Sequence, residues 1–421
     1  MFESELLTQG FSTLLNNPQA LLFATFGVML GIVIGALPGL TATMGVAILL
    51  PFTYGMEPVS GLLMICGVFF GGVYGGSITA ILLKIPGTPA AAATAIDGYE
   101  LTKQGKAGLA LSAATFSSFS GGTLSIIVLM FLSPVLASWA LKFSASESFA
   151  LATFGLSIIA SISGESLIKG LIAGVGGLLI ATIGLDPMGG FPRFTGGFVE
   201  LMNVPFIPVM IGLFAASEAF RSMEQNQQIR RGANGCTGGA LLPMLTLGIP
   251  GDAVTAIMLG ALTLQGMQPG PLMFTDHGDM VYTLFVGMIF CYFMLLVLGL
   301  LSLKVIGNVV KIPGNILTPM ILALCVVGTY ALNNSLFDVG IMLIAGVVGY
   351  FMQKGGYPAS PVVLALIMGP MAESNFRRAL SLSGGSLDFL YTRPITLALL
   401  TLAAFTLLTP IIRKIMRLRR Q

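Results

Sequence analysis

Three Pro-Gly pairs interrupt apolar runs of this chain: Leu37-Pro38-Gly39, Ile85-Pro86-Gly87 and Ile249-Pro250-Gly251. Proline withdraws a backbone donor and clashes with the preceding turn, and glycine frees the backbone that follows. A helix that restarts after such a break aims unpaired N–H groups at it, and those groups attract carboxylates. Hydroxyls and small residues crowd the same places. Thr41 and Thr43 follow the first break; Gly75, Gly76, Ser77 and Thr79 precede the second and Thr88 follows it; Gly238, Gly239 and Thr246 precede the third and Thr255 follows it. Such a constellation suits ion or carboxylate binding by backbone groups and hydroxyls. The competing reading is three kinks that let helices pack closely.

Two charged side chains stand at the breaks. Lys84 is read as lying within an apolar run, where it balances a substrate carboxylate, pairs with Asp252 or snorkels to an interface. Asp252 directly follows the third break, where it caps the new helix or holds a driving cation, sodium or a proton. Asn333-Asn334-Ser335, followed by Asp338, is a polar cluster between apolar runs, either a surface loop or a further part of an ion-coupling site. His277 is the single histidine, so neither a zinc cluster nor a histidine relay is expected, and no resident metal or cofactor. Cys66, Cys236, Cys291 and Cys325 form no CxxC pair and read as small buried hydrophobes.

The elements that must position these residues follow from composition. Of 421 residues, 55% are hydrophobic and 9% charged, and the mean hydropathy is +0.93. A soluble domain carries about 25% charged residues, so an ordinary soluble enzyme, a nucleic-acid binder and a disordered chain are excluded. Spans are read near 20–37, 43–56, 59–83, 109–138, 149–162, 171–185, 201–220, 238–265, 280–303, 314–332, 336–352, 358–372 and 394–412. They lack the ten-residue alternation of an outer-membrane barrel. The fold class expected is all-α, a polytopic membrane protein of roughly 10–12 transmembrane helices, several broken by Gly and Pro. Glu3 and Glu5 stand where a signal peptide would be basic, so no removable leader is expected.

Basic residues orient the spans. Arg413, Lys414, Arg417, Arg419 and Arg420 put the C-terminus in the cytoplasm, and Lys354, Lys304, Lys311, Arg221, Arg230, Arg231, Lys169, Lys103 and Lys106 fall on the same side. Lys142, Arg193, Arg377, Arg378 and Arg393 fall outside, as does the acidic joint of Asp276 and Asp279. The chain also repeats itself in order. GGSITAILLKIPG (75–87) matches GGALLPMLTLGIPG (238–251), and IAGVGGLLIATIG (172–184) matches IAGVVGYFMQKGG (344–356). Matching joints fall on opposite sides, so the repeats are read as inverted: residues 1–220, a polar cytoplasmic joint 221–237, and residues 238–421. Inverted repeats with broken segments at corresponding positions point to a secondary transporter. No ring of charges or filter-like stretch supports a channel.

GALPGLTATMGVAILLPFTYGMEP (35–58), YGGSITAILLKIPGTPAAAATAIDGY (74–99), GLDPMGGFPRFTGG (184–197), TGGALLPMLTLGIPGDAV (237–254), LQGMQPGPLMF (264–274) and YALNNSLFD (330–338) resemble the large membrane subunit of tripartite tricarboxylate transporters. The resemblance runs from about Leu21 to Ile412. It implies a bacterial inner-membrane carrier for carboxylates such as citrate, a periplasmic solute-binding protein, a small four-span membrane subunit and coupling to an ion gradient. One departure stands out. The family carries a second Leu-Pro-Gly hairpin before the second Gly-Gly-Ala segment, where this chain has only SMEQNQQIRRGANG (222–235). A non-transporting scaffold or docking subunit is therefore the alternative function.

Overall fold

Glycines 27, 31 and 35 on one apolar stretch, and 67, 71 and 75 on another, recur every four residues. That spacing lines each set along one helix face. The computed structural model describes residues 4–37, 40–84, 91–157, 167–186, 188–202, 205–224, 237–302 and 314–418. Its helices, in chain order, are α1 (Ser4–Asn16), α2 (Pro18–Ala36), α3 (Ala42–Leu49), α4 (Pro58–Leu83), α5 (Ala91–Lys103), α6 (Ala107–Ala140), α7 (Ala145–Ser157), α8 (Leu167–Ala181), α9 (Phe206–Ile211), α10 (Ser217–Glu224), α11 (Thr237–Leu247), α12 (Ala253–Leu264), α13 (Leu272–Asp276), α14 (Gly278–Ser302), α15 (Gly314–Asn333), α16 (Leu336–Lys354), α17 (Ser360–Leu382), α18 (Phe389–Thr392) and α19 (Pro394–Leu418). The all-α polytopic class holds, with one two-residue strand pair besides.

The chain divides into two compact units, Met1–Ser138 with Met210–Val347 and Trp139–Val209 with Val348–Gln421. Each unit thus draws one stretch from each half of the sequence.

In the first unit the two glycine faces meet. A Cβ on Gly27, Gly31 or Gly35 would stand 2.2, 2.5 or 2.2 Å from the carbonyl oxygens of Met64, Val68 and Gly72. From the other side, Gly67, Gly71 and Gly75 meet the carbonyls of Ala24, Val28 and Ile32 at 2.8, 2.4 and 2.6 Å. Both sets advance together, so α2 and α4 run parallel. The chain between them must come back. It does so along α4 through α3 and a 3-10 turn (Leu50–Thr53), from Gly72, which faces Ala42, to Gly61, which faces Thr53. The span read at 43–56 is therefore a short return, well under the roughly 20 residues a crossing needs.

Further helices of this unit pack on α4. Thr102 of α5 donates to the Ile81 carbonyl at 2.8 Å. The Tyr74 and Thr115 hydroxyls, on α4 and α6, lie 2.6 Å apart. Tyr292 of α14 stacks on Phe70 at 4.5 Å. A π-helical turn (Gly212–Ala216) joins α9 to α10. In it Gly212 faces the Met342 carbonyl of α16, where a Cβ would stand 2.3 Å away.

In the second unit α17 packs on α7 and α8, and α19 on α7. Between α8 and α9 lies a hairpin whose strands β1 (Gly184–Leu185) and β2 (Pro192–Arg193) pair antiparallel, Gly184 opposite Arg193. Ile168, Ile172, Val175 and Leu179 form an exposed apolar stripe on α8, the face a helix turns to lipid.

Five helices among the described residues are long and apolar enough to cross a bilayer: α2, α4, α6, α14 and α16. α3, α8 and α12 are apolar but shorter. Polar cross-links tie the joints of the second unit together. Lys169 donates to the Gly355 carbonyl at 2.6 Å, joining two joints assigned to one side. Arg193 pairs with Glu373, and Arg393 with Glu147, joining joints assigned to the other.

Candidate functional site

The three breaks end and begin helices as their sequences dictate. At the first, α2 stops at Ala36, and Leu37 turns extended while its N–H bonds the Ile34 carbonyl. Pro38 and Gly39 lie outside the described residues. Thr41 then caps α3, its Oγ1 accepting from the Met44 N–H at 3.2 Å, and Thr43 sits half-buried in the first turn.

At the second, Gly75 and Gly76 are buried in α4, Ser77 is half-buried, and the buried Thr79 donates to the Gly76 carbonyl at 3.1 Å. Lys84 ends α4 in the left-handed region, φ 59°, with its N–H on the Ala80 and Thr79 carbonyls. Its side chain is exposed, and its ammonium lies 5.6 Å from the centre of the Tyr99 ring, a cation–π contact. Lys84 is thus a helix end rather than a helix interior. Pro86, Gly87 and Thr88 lie outside the described residues.

At the third, α11 ends at Leu247, Gly248 takes φ +70°, and the Ile249 N–H reaches back to the Pro243 carbonyl. Gly238 and Gly239 open α11; a Cβ on Gly239 would meet nothing within 4 Å. After Pro250, Gly251 lies against Ala240, where a Cβ would be 2.7 Å from its Cα. Asp252 then closes a reciprocal capping box. Its Oδ1 accepts from the Thr255 N–H at 2.8 Å, and the Thr255 Oγ1 accepts from the Asp252 N–H at 2.9 Å. Asp252 and Lys84 form no ion pair among the described residues.

The fold brings two of the breaks to one place. α3 and α12, the helices that restart after the first and third breaks, pack on each other and both pack on α4, which leads to the second. The Asn333 cluster is a helix junction. Asn333 ends α15 and donates to Asp338 at 2.7 Å, Asn334 takes φ 51°, and the N–H of the buried Asp338 donates to the Ser335 hydroxyl oxygen. Among the described residues no group of three His, Cys, Asp or Glu is disposed to hold a metal.

Two ionic networks in the second unit were invisible to sequence spacing. Arg193 grips Glu373 with both guanidinium nitrogens, at 2.6 and 3.1 Å; Arg377 reaches Glu373 and Asp186, each at 2.7 Å. The Asp186 side chain is fully buried. The Gly189 N–H, aided against burial by the Met188 N–H and Arg377, holds its carboxyl below the usual range. Elsewhere Glu147, at the start of α7, accepts from the Ser144 hydroxyl and N–H, Ser146, Thr396 and Arg393. Burial opposes its charge, but the hydrogen bonds from Ser144 and Ser146 prevail and hold the carboxyl at about 2. Asp and Arg inside the 184–197 motif of so apolar a chain were the available signal; their partners on α17 lie some 180 residues away.

Residues 21–235 and 230–364 match the tripartite tricarboxylate transporter TctA family. The chain belongs to this family. It is 31% identical, over 94% of its own length and 93% of the relative's, to an uncharacterized 52.8 kDa protein in the TAR-I ttuC' 3' region of Agrobacterium vitis. A second uncharacterized protein, from the TAR-II ttuC' 3' region of the same organism, is 32% identical over 40% of this chain and 70% of its own. No solved structure matches. The first alignment runs over 469 positions although the whole chain has 421, so the relative carries dozens of residues without a counterpart here. The family match comes in two segments that overlap at residues 230–235, inside the polar joint where a hairpin was expected.

Proposed function

We propose that this chain is the large membrane subunit of a binding-protein-dependent secondary transporter, a carrier and not an enzyme. It imports tricarboxylates or related organic carboxylates, citrate among them, across the bacterial inner membrane. A sodium or proton gradient drives it, and its C-terminus is cytoplasmic. A periplasmic solute-binding protein and a small four-span membrane subunit complete the complex. Family membership gives the transporter class, and one observation carries the site: α3 and α12 each begin at a Pro-Gly break, and they pack on each other and on α4. The backbone groups of Thr41–Thr43 and Thr88, the glycines around 75–76, 87, 238–239 and 251, and Lys84 are assigned to the carboxylate. Asp252, Asn333 and Asn334 are assigned to the coupling ion. Uptake of labelled citrate into proteoliposomes, with and without the binding protein, tests the reading; saturable, gradient-dependent accumulation is expected.

The meeting of two family-match segments in the polar joint, where the hairpin was expected, supports one alternative, a scaffold or docking subunit that no longer transports. It predicts that the small subunit and binding protein still associate while uptake stays at the level of empty liposomes.

A further inference from the structure

A cavity of about 240 Å³ opens in the second unit at the base of the Gly184–Met202 hairpin. Ile183, Met202 and Phe206 supply apolar wall, and Arg193, Glu373 and the Leu366–Pro370 turn of α17 supply the polar side. A pocket for a drug-sized molecule spans roughly 300–1,000 Å³, so the occupant here is small. It is separate from the three breaks, all of which lie in the first unit.

Three features make it more than a packing gap. The Nε of Arg193 is buried without a hydrogen-bond partner, although both terminal nitrogens hold Glu373. Pro370 has no N–H to give the Leu366 carbonyl four residues earlier, so one wall residue lacks its helical donor. Arg193 and Leu366 both line the cavity, and an unmet donor and an acceptor short of its donor cost stability unless something fills the role. Finally, Glu373 is held twice. Were it to leave Arg193 it would keep Arg377 at 2.7 Å, while Asp186 would keep the Met188 and Gly189 N–H groups and Arg377. An exchange at Arg193 therefore strands no buried charge, which is the usual obstacle to opening an internal ion pair.

The geometry points to a small organic carboxylate as the occupant: its carboxylate replaces the chemically identical group of Glu373 on Arg193, and its hydroxyl, where it has one, donates to the Leu366 carbonyl. This rests on the reading of the chain as a carboxylate carrier and adds a receiving site to it. Arg193 and Arg377 both fall in joints that the charge pattern assigns to the outer face, the side from which substrate is delivered.

The experiment is calorimetric binding of citrate, and of tricarballylate, which lacks the hydroxyl, to the full chain in lipid nanodiscs. Arg193→Gln is expected to weaken both acids about tenfold or more, the worth of a hydrogen bond to a charged group. Glu373→Gln is expected to tighten both, because the internal competitor is gone. Pro370→Ala, which restores the helical donor to Leu366, is expected to weaken citrate and leave tricarballylate unchanged. If wild type binds and Arg193→Gln binds equally well, the inference fails and the carrier reading stands. Should Arg193→Gln not fold, Glu373→Gln still decides, since unchanged or weaker binding overturns the exchange. Absence of binding and of proteoliposome uptake by wild type overturns both.

Discussion

The carbonyl oxygen of Gly72 on α4 fills the space that a side chain on Gly35 of α2 would need, 2.2 Å from its Cβ. The same relation repeats one turn back at Gly31 with Val68 and again at Gly27 with Met64. Backbone cannot retreat as a flexible side chain can, so each pair fixes the separation of two parallel helices. α3 is confined to the return path those helices leave it, and Thr41 with it. Close packing of two helices and the placing of one break are thus the same device.

Gly35→Val should therefore cost more than the ~1–3 kcal/mol of ordinary overpacking. The expected result is loss of the monodisperse peak in detergent size-exclusion and a strongly lowered melting temperature. Gly121→Ala on α6 is the control, because a Cβ there meets nothing within 4 Å; its melting temperature should match or slightly exceed wild type.

Glu147 gives a pH dependence with a definite sign. Its folded carboxyl titrates at about 2 against an ordinary 4.5, so it binds protons less readily folded than unfolded. A lowered folded pKa contributes stability that is whole above 4.5 and lost as pH falls from there toward 2. Melting temperatures taken in detergent from pH 6 to pH 3 should fall for wild type. Glu147→Gln should start lower and show a flatter acid limb; an equally steep limb would assign the acid sensitivity to other carboxylates.

The membrane class, the helical content and the positions of the breaks were legible in the sequence because each depends on local chemistry: apolar length, proline without an N–H, glycine beside it. Asp252 as a cap was legible for the same reason, since Thr255 stands three residues on. Two things were not. The span at 43–56 is apolar enough to cross, and only the parallel packing of α2 on α4, a relation between distant segments, shows that it must return early. The Asp186–Arg193–Glu373–Arg377 network joins a hairpin to a helix some 180 residues later, and no periodicity reports such a pairing. Lys84 misled for a subtler reason. Its neighbours are apolar on both sides, so it reads as interior, yet a left-handed residue ends α4 there and releases the side chain to Tyr99.

Orientation is open to a direct test. Single cysteines at Gln104 and Gly278 in a chain otherwise free of cysteine should label from opposite sides with an impermeant maleimide in spheroplasts, Gly278 from outside. Gly278 lies within the acidic joint, between Asp276 and Asp279, and begins α14, whereas Gln104 follows α5 beside Lys103 and Lys106. Equal labelling of both from one side would remove the inverted-repeat reading.

Asp252 offers the sharpest separation of structure from function. Its carboxylate already accepts from the Thr255 N–H at 2.8 Å, so its capping role is visible, and any ion-holding role must be additional. Asparagine caps helices about as well as aspartate, whereas alanine forfeits roughly 1 kcal/mol. Asp252→Ala should therefore lower the melting temperature, and Asp252→Asn should nearly preserve it. If the charge also holds the driving cation, Asp252→Asn should raise the sodium or proton concentration needed for half-maximal uptake while leaving citrate affinity at saturating ion unchanged. Lys84→Gln should do the reverse, weakening citrate with little change in ion dependence. Because the two residues form no ion pair, the double variant should show the sum of the single effects, within the ~0.3–0.5 kcal/mol seen for independent sites. An Asp252→Asn protein with wild-type stability and wild-type ion dependence would reduce Asp252 to its cap.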